Sequence, residues 1–267
     1  MMIAPQRVLA VAAVAAMASL SACGSSTSAA GTSPSLSVSV PAAPAAGTIL
    51  TAAQAKTLVK AAGANLTSVH ESLTIATSAA DITGEADVLK GAHGLTMQMT
   101  LTVPQMGAMQ ARLIDNGFYL KMNQPQLGGK WIKIDLSNKN SALGQMLGSL
   151  TTMSPTQIFD QYAGGFLGGT VIGTDSIGDH YQLNVSTAAA LKNLPSSMAG
   201  NPLIEKGMKN LPATLKINVW IKNGLLQKVV NDMGAAGSVT VTLSNYGEAV
   251  HVVAPPTSEI TALPGLG

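Results

Sequence analysis

The residues with the most specific chemistry lie near the amino terminus. Leu20-Ser21-Ala22-Cys23 places a bulky apolar residue and two small ones before a cysteine. That order is the bacterial lipobox: the small side chains fit the narrow pocket of a signal peptidase, and the thiol accepts diacylglycerol as a thioether. Cys23 is the single cysteine of the chain, so an internal disulfide framework and a cysteine-cluster metal site are both excluded. The segment ahead of it has the composition such a motif needs. Arg7 is its lone positive charge, and Val8 to Ala18 are eleven residues without a charge. That run suits a signal-peptide core and falls short of the roughly 20 residues that span a bilayer. Residues 1–22 therefore read as a lipoprotein signal peptide and Cys23 as the lipidation site; the other reading is an ordinary secretory signal with a chance cysteine. Two or three acyl chains on Cys23 give durable anchoring, at about 0.8 kcal/mol per buried methylene. The expected location is the extracytoplasmic, periplasmic face of the cell membrane.

Other chemistry is sparse. There is no Gly-x-Ser-x-Gly, and Gly173-Thr174-Asp175-Ser176 has the wrong spacing for a nucleophile elbow. The glycines of Gly164-Gly165-Phe166-Leu167-Gly168-Gly169 follow a helical pattern instead of opening one, unlike a phosphate loop. His70, His93, His180 and His251 are not at ligand spacing and read as surface or strand-end residues. The carboxylates Glu71, Asp81, Glu85, Asp87, Asp115 and Asp135 are scattered; Glu85 and Asp87 share one strand face, which reads as a solvated face. No metal, no cofactor and no enzymatic activity are expected. Lys plus Arg number 15 against 13 Asp plus Glu, too balanced for a nucleic-acid binder. Ten of the thirteen methionines follow Cys23. Their flexible thioethers suit adaptable apolar surfaces, and with 3% aromatic residues such a wall matches aliphatic chains better than flat rings.

The elements that position these groups follow from periodicity. Gly24 to Gly47 carry no charge and are punctuated by Pro34, Pro41 and Pro44. Such a stretch buries too little to offset its ordering entropy. Residues 23–48 are expected to be a lipidated tether averaging about 25–30 Å end to end, with a short strand over 36–40 as the alternative. Thr51 is placed to cap a helix in which Ala55, Leu58, Val59, Ala62, Leu66 and Val69 recur at three- and four-residue steps. Then the period falls to two, with strands expected near 73–76, 82–88, 95–103, 109–114, 118–122 and 131–135. Asn116-Gly117 marks one hairpin and Asn223-Gly224 another. Helices are expected over 142–150, 155–166 and 187–194, strands over 170–177, 180–186, 215–221, 226–233 and 239–243, and an edge segment over 250–256.

The predicted architecture is α+β: a curved antiparallel sheet of about ten or eleven strands with one apolar face covered by helices. The two-residue period puts Leu95, Met97, Met99 and Leu101 on one side, together with Leu215, Ile217, Val219 and Ile221 and with Val239, Val241 and Leu243. These eleven residues are the predicted wall of an apolar cavity, with Thr96, Gln98, Lys216 and Asn218 outside.

The carboxyl third resembles the mycobacterial LppX/LprG/LprA/LprF lipoproteins. The likeness rests on Val219-Trp220-Ile221, Asn223-Gly224-Leu225, the run from Val239 to Glu248 with its Asn245-Tyr246-Gly247, and Val250 to Pro256. Ser68-Val69-His70 and Gly117-Phe118-Tyr119 add to it. Ala249 departs from it, standing where these proteins often have proline after the acidic residue. The resemblance covers about 49–258, leaving 259–267 as a flexible tail. It implies a half-barrel related in shape to the LolA and LolB carriers, binding of an acylated lipid or lipoglycan, assistance in its transport to the outer envelope, and no catalytic residues. A membrane-anchored lipid carrier, held by lipidated Cys23 and served by an export transporter, is the expected function. The competing expectations are an envelope sensor or interaction module with a filled core, and a hydrolase with an unrecognised site.

Overall fold

A computed structural model describes residues 44–63, 67–77, 81–91, 94–104, 107–115, 117–136, 164–192, 211–234 and 237–261. The expected helix over 142–150, residues 155–163 of the next, the 36–40 alternative, His93 and Cys23 lie outside them; Phe166, expected at the end of that second helix, instead opens a strand through its pairing with Val185.

One sheet of 13 strands holds the described residues together. Its strands are β1 (Ile49–Leu50), β2 (Ser68–Ala76), β3 (Asp81–Gly91), β4 (Gly94–Val103), β5 (Gly107–Ile114), β6 (Gly117–Met122), β7 (Trp131–Asp135), β8 (Phe166–Thr174), β9 (Asp179–Ser186), β10 (Thr214–Lys222), β11 (Leu225–Asp232), β12 (Ser238–Ser244) and β13 (Ile260–Thr261). Their order is β1-β8-β9-β10-β11-β12-β2-β3-β4-β5-β6-β7-β13, so the sheet is open, with β1 and β13 at its edges. Every pairing is antiparallel except that of β13 with β7. The sheet joins two meanders, β8–β12 and β2–β7, where β12 pairs with β2.

Helix α1 (Ala52–Gly63) and the short α2 (Thr187–Lys192) complete the described secondary structure, apart from two 3-10 turns. The start of α1 is a reciprocal cap: Gln54 N–H donates to Thr51 Oγ1 (3.2 Å) and Thr51 N–H to Gln54 Oε1 (2.9 Å). The helix ends at Gly63, and Val69, expected on its apolar stripe, belongs to β2. Pairing with Val88 makes Val69 a sheet residue, because a three-residue step does not outweigh a cross-strand partner. Ala55 and Ala62 of α1 are buried in the main core, with the helix lying on β8 and β11.

Two expectations about glycines need correction. Gly168 and Gly169 do not end a helix; they lie inside β8. A Cβ on Gly168 would stand 2.5 Å from the Leu50 carbonyl oxygen, and one on Gly169 2.6 Å from that of Gln182. Close approach of β1 and β9 requires both glycines. The first hairpin is also shifted: Ile114 pairs with Gly117, which puts Gly117 in β6 and leaves Asp115, at φ 53°, in the turn. At the other hairpin, Lys222 pairs with Leu225 around Asn223 (φ 54°) and Gly224 (φ 74°), the left-handed pair a two-residue turn favours. The strand β13 lies beyond residue 258.

The pairings put one apolar side together across the sheet. Val171, Tyr181, Val219, Val229, Val241, Leu73, Gly84, Leu101 and Met109 form one cross-strand row. Leu183, Ile217, Val239, Ile75 and Ile82 extend this side. A second cluster, Leu113, Leu127, Ile132, Ile134 and Leu136, joins the main core through Leu95 and Met97, which pack on both.

Gly237 and Gly247 separate two effects. A Cβ on Gly237 (φ +113°) would lie 1.9 Å from the Ala76 carbonyl oxygen, whereas one on Gly247 (φ +76°) meets nothing within 4 Å. Gly247→Ala is expected to cost about 1–2 kcal/mol from the left-handed backbone alone. Gly237→Ala is expected to cost more, because β12 must also move off β2. Urea denaturation of the two variants checks the order.

Candidate functional site

The two faces differ in chemistry. Of the eleven predicted wall residues, Leu215, Val219, Ile221, Val239, Val241 and Leu243 are buried in the main core or beside it, while Leu95, Met97, Leu101 and Ile217 are half-buried against it. Met99 is also half-buried, with Ala86 and Ala111 as its cross-strand neighbours. All eleven lie on the apolar side. Thr96, Gln98, Lys216 and Asn218 alternate with them on the other, as the period requires. The set thus divides into a part on β10 and β12 that is closed except at Ile217 and a looser part on β4.

Polar groups interrupt the apolar face. Glu71 lies between Leu243 and Ala86 with 7% of its surface exposed. Burial, and then the Glu71 carboxylate, push the Tyr246 hydroxyl well above the usual phenol range. The hydroxyl is buried without a hydrogen-bond partner, as is Asn231 Oδ1.

The opposite face carries a network that the one-dimensional reading missed. His70 Nδ1 lies 2.7 Å from Asp87 Oδ1, and its Nε2 lies 3.0 Å from Glu85 Oε2. Ser72 Oγ donates to the same Glu85 oxygen (2.6 Å), and Gln98 Nε2 to Asp87 Oδ2 (2.8 Å). A neutral imidazole has one N–H, so two carboxylate partners select the protonated ring. The Asp87 bond raises the His70 pKa above 6.5, against the opposing effect of burial. Burial opposes ionisation of Asp87, but the bonds from Gln98 and His70 hold its carboxyl below the ordinary range. Glu85 and Asp87 therefore flank a histidine instead of forming a bare solvated face. The β2–β3 register brings them together, setting His70 opposite Asp87 and Ser72 opposite Glu85.

A strap crosses this face. After β12 the chain runs over β2, where Gly247 N–H donates to the Ser68 carbonyl (3.1 Å) and Ser68 Oγ to the Glu248 carbonyl (2.6 Å). Farther on, Arg112 Nη1 donates to the Val253 carbonyl (2.9 Å), and Ile260 pairs with Trp131. The segment expected at an edge, 250–256, is this extended strap and not a strand. Arg112 lies 4.7 Å from the centroid of the buried Trp131 ring, and Lys121 lies 5.7 Å from it. Beneath the strap is a cavity of about 160 Å³ lined by His70, Asp87, Gln98, Asn245, Glu248 and His251, with Ala249 and Val250. It is polar and smaller than the roughly 300–1,000 Å³ of drug-sized ligand sites. His180 stacks on Trp220 at 4.1 Å, and Trp220 Nε1 donates to Asp175 Oδ2 (2.8 Å). Asp175, within Gly173-Thr174-Asp175-Ser176, is a turn acceptor that also takes the Ile177 N–H. Among the described residues, no group of three or more His, Cys, Asp or Glu side chains is placed to hold a metal ion.

No protein-family model and no curated protein matches the chain. Solved structures similar to it include the following three. LprF from Mycobacterium bovis is 18% identical, with a TM-score of 0.49 over 79% of this chain and 99% of that one. An uncharacterized conserved protein from Thermus thermophilus is 6% identical, with a TM-score of 0.43 over 78% and 99%. A DUF1329 family protein from Desulfovibrio piger is 8% identical, with a TM-score of 0.29 over 75% and 93%. Likenesses at this level assign no side chain a role.

The sign of the pH dependence follows from His70. Because its folded pKa is raised, its contribution is fully present below pH of about 6.5. It is lost as pH rises through the folded value. Wild-type stability is therefore expected to decline across that window, while His70→Gln, which has no proton to lose there, shows no such decline. Thermal unfolding from pH 5.5 to 8.5 on the order of half-unit steps reads this out; parallel curves for the two proteins would refute it.

Proposed function

We propose that the chain is an envelope lipoprotein, anchored through acyl chains on Cys23 at the extracytoplasmic face of the cell membrane. In this reading the apolar side of β3–β6 receives the acyl chains of a lipid or lipoglycan, for carriage toward the outer envelope in concert with an export transporter. The observation that carries it is the division of the apolar face. Leu95, Met97, Met99 and Leu101 all stay half-buried, while of their seven counterparts on β10 and β12 all but Ile217 are buried. Met109, Met122 and Phe118 lie on the same side beside them, also half-buried. Acyl chains laid on that wall gain about 25 cal/mol per Å² of apolar surface removed from water. Methionine wraps irregular chains well. The lipobox and the sequence resemblance of the carboxyl third support the same reading. It assigns binding and handover, with no turnover, cofactor or metal.

The half-barrel, and helices closing a concave face, belong to this proposal. A second reading, a filled-core sensor or interaction module, is favoured by the burial of Leu215, Val219, Ile221, Val239, Val241 and Leu243.

A paired substitution separates the two. Val219 is 3% exposed, so Val219→Trp is expected to cost about 1–3 kcal/mol by overpacking. Met99, half-buried between two alanines, accepts the volume, so Met99→Trp should leave the melting temperature within about 2 °C and reduce lipid binding. Native mass spectrometry of the full chain from its own host reads co-purifying lipid on the same variants. Lipid absent from the wild type, or unaffected by Met99→Trp, favours the module. Cys23→Ser is expected to move the protein from the membrane to the soluble fraction.

A further inference from the structure

The edge formed by β1 and β8 has a surface the folded domain does not use. Ile49, Leu167 and Ile172 are among its most exposed large apolar side chains, at 73%, 58% and 45%. They lie on one side of the sheet. Ile49 pairs with Thr170, whose partner on β9 is Gln182, on the polar side, while its neighbour Leu50 enters the core. The other two occupy register shifts, between Phe166 and Gly168 and between Val171 and Gly173. Phe166 packs on the core and Val171 is buried within it. The residue after each turns the other way, to the side of Ile49. Each shift is followed by a glycine with positive φ, Gly168 at 127° and Gly173 at 146°. Both residues therefore stand outside the β8–β9 pairing, as large apolar side chains on a side that is otherwise polar there.

The patch lies where the tether ends. Gly47 N–H donates to the Val171 carbonyl (2.8 Å), and Val171 N–H to that of Thr48 (2.9 Å). The chain from Cys23 thus arrives alongside Ile172. From Gly24 to Ala55 it carries no charged residue, and neither do β1 and β8. With the tether expected from the sequence, about 25–30 Å on average, a bilayer holding Cys23 is within reach of the patch. Tethering at that range raises the local concentration to about the millimolar scale, so three side chains suffice where a free protein would need more.

We propose that the β1–β8 edge is the surface on which the domain rests against the bilayer that anchors it, with Ile49, Leu167 and Ile172 entering the interfacial region. This rests on the reading of Cys23 as a lipid anchor. The contact fixes the domain's orientation and keeps the β4–β6 wall away from the point of attachment, at the far side of the sheet order.

The test uses full-length lipidated protein in vesicles of phosphatidylethanolamine and phosphatidylglycerol with brominated acyl chains. Bromine quenches tryptophan within the bilayer, and wild-type protein supplies the background from Trp131 and Trp220. Leu167→Trp and Ile172→Trp are compared with Thr102→Trp, an exposed residue of β4. The expected result is quenching at 167 and 172 at least about twofold that at 102. Equal quenching in protein that floats with the vesicles overturns the proposal alone, and a concentration-dependent dimer in the same sample then assigns the patch to a second copy. Wild-type protein that does not float lacks the anchor, which overturns the proposal together with the reading beneath it.

Discussion

Register is the constraint on which the rest depends. Every cross-strand pair from β1 to β13 passes its side to the next strand, so a slip of one residue anywhere exchanges the faces from that point on. The junction of β12 with β2 carries the greatest consequence, because it joins the two meanders. Val239 opposite Ile75 and Val241 opposite Leu73 keep both apolar sides on one face there. The same register sets Ser244 beside His70 and starts the strap on the polar side. Gly237, with no room for a Cβ against the Ala76 carbonyl, fixes the end of that pairing.

From this register follow two surfaces with different degrees of closure. On β8–β12 the apolar side packs under α1 into a continuous core. On β4–β6 the same side is looser, and methionine replaces branched residues at 97, 99, 109 and 122. The polar side is organised by charge and by the strap. His70 between two carboxylates binds β2 to β3, Gln98 adds β4, and the strap passes from Ser68 to Arg112 to β7. Trp131 is large and apolar on a polar face. It is tolerated there because Arg112, Lys121 and β13 cover it.

The bulged edge connects the fold to the proposed anchoring. Leu167 and Ile172 fall at register shifts and have no partner on β9, and the glycine that follows each takes up the shift in the backbone. The energetic cost of exposing two apolar side chains in water marks this edge as unlike β2–β7 and β9–β12, whose exposed positions among the described residues are polar or, at Ala108, small.

Much of this was written in local sequence. The two-residue period between Leu95 and Val103 and between Leu215 and Ile221, the Asn223-Gly224 turn and the Thr51–Gln54 cap are all short-range, and each formed where its spacing places it. The eleven wall residues share one side because alternation is a property of each strand by itself. What local pattern does not carry is which strands meet and how far apart their surroundings leave them. The two-residue strands β1 and β13 carry no period, and they exist only through partners more than a hundred residues away in sequence. Gly168 and Gly169 resemble a helix stop until β1 and β9 press against them. Val69 continues a helical stripe until Val88 pairs with it. His70, Glu85 and Asp87 looked scattered because their proximity is created by the β2–β3 ladder, and Met99 and Val219, alike in period, differ in burial because α1 and the neighbouring strands close one region more than the other. Sequence alone determined the side of each residue, since that depends on backbone geometry over two positions; tertiary structure decided partners and closure, since those depend on contacts between segments that are remote along the chain.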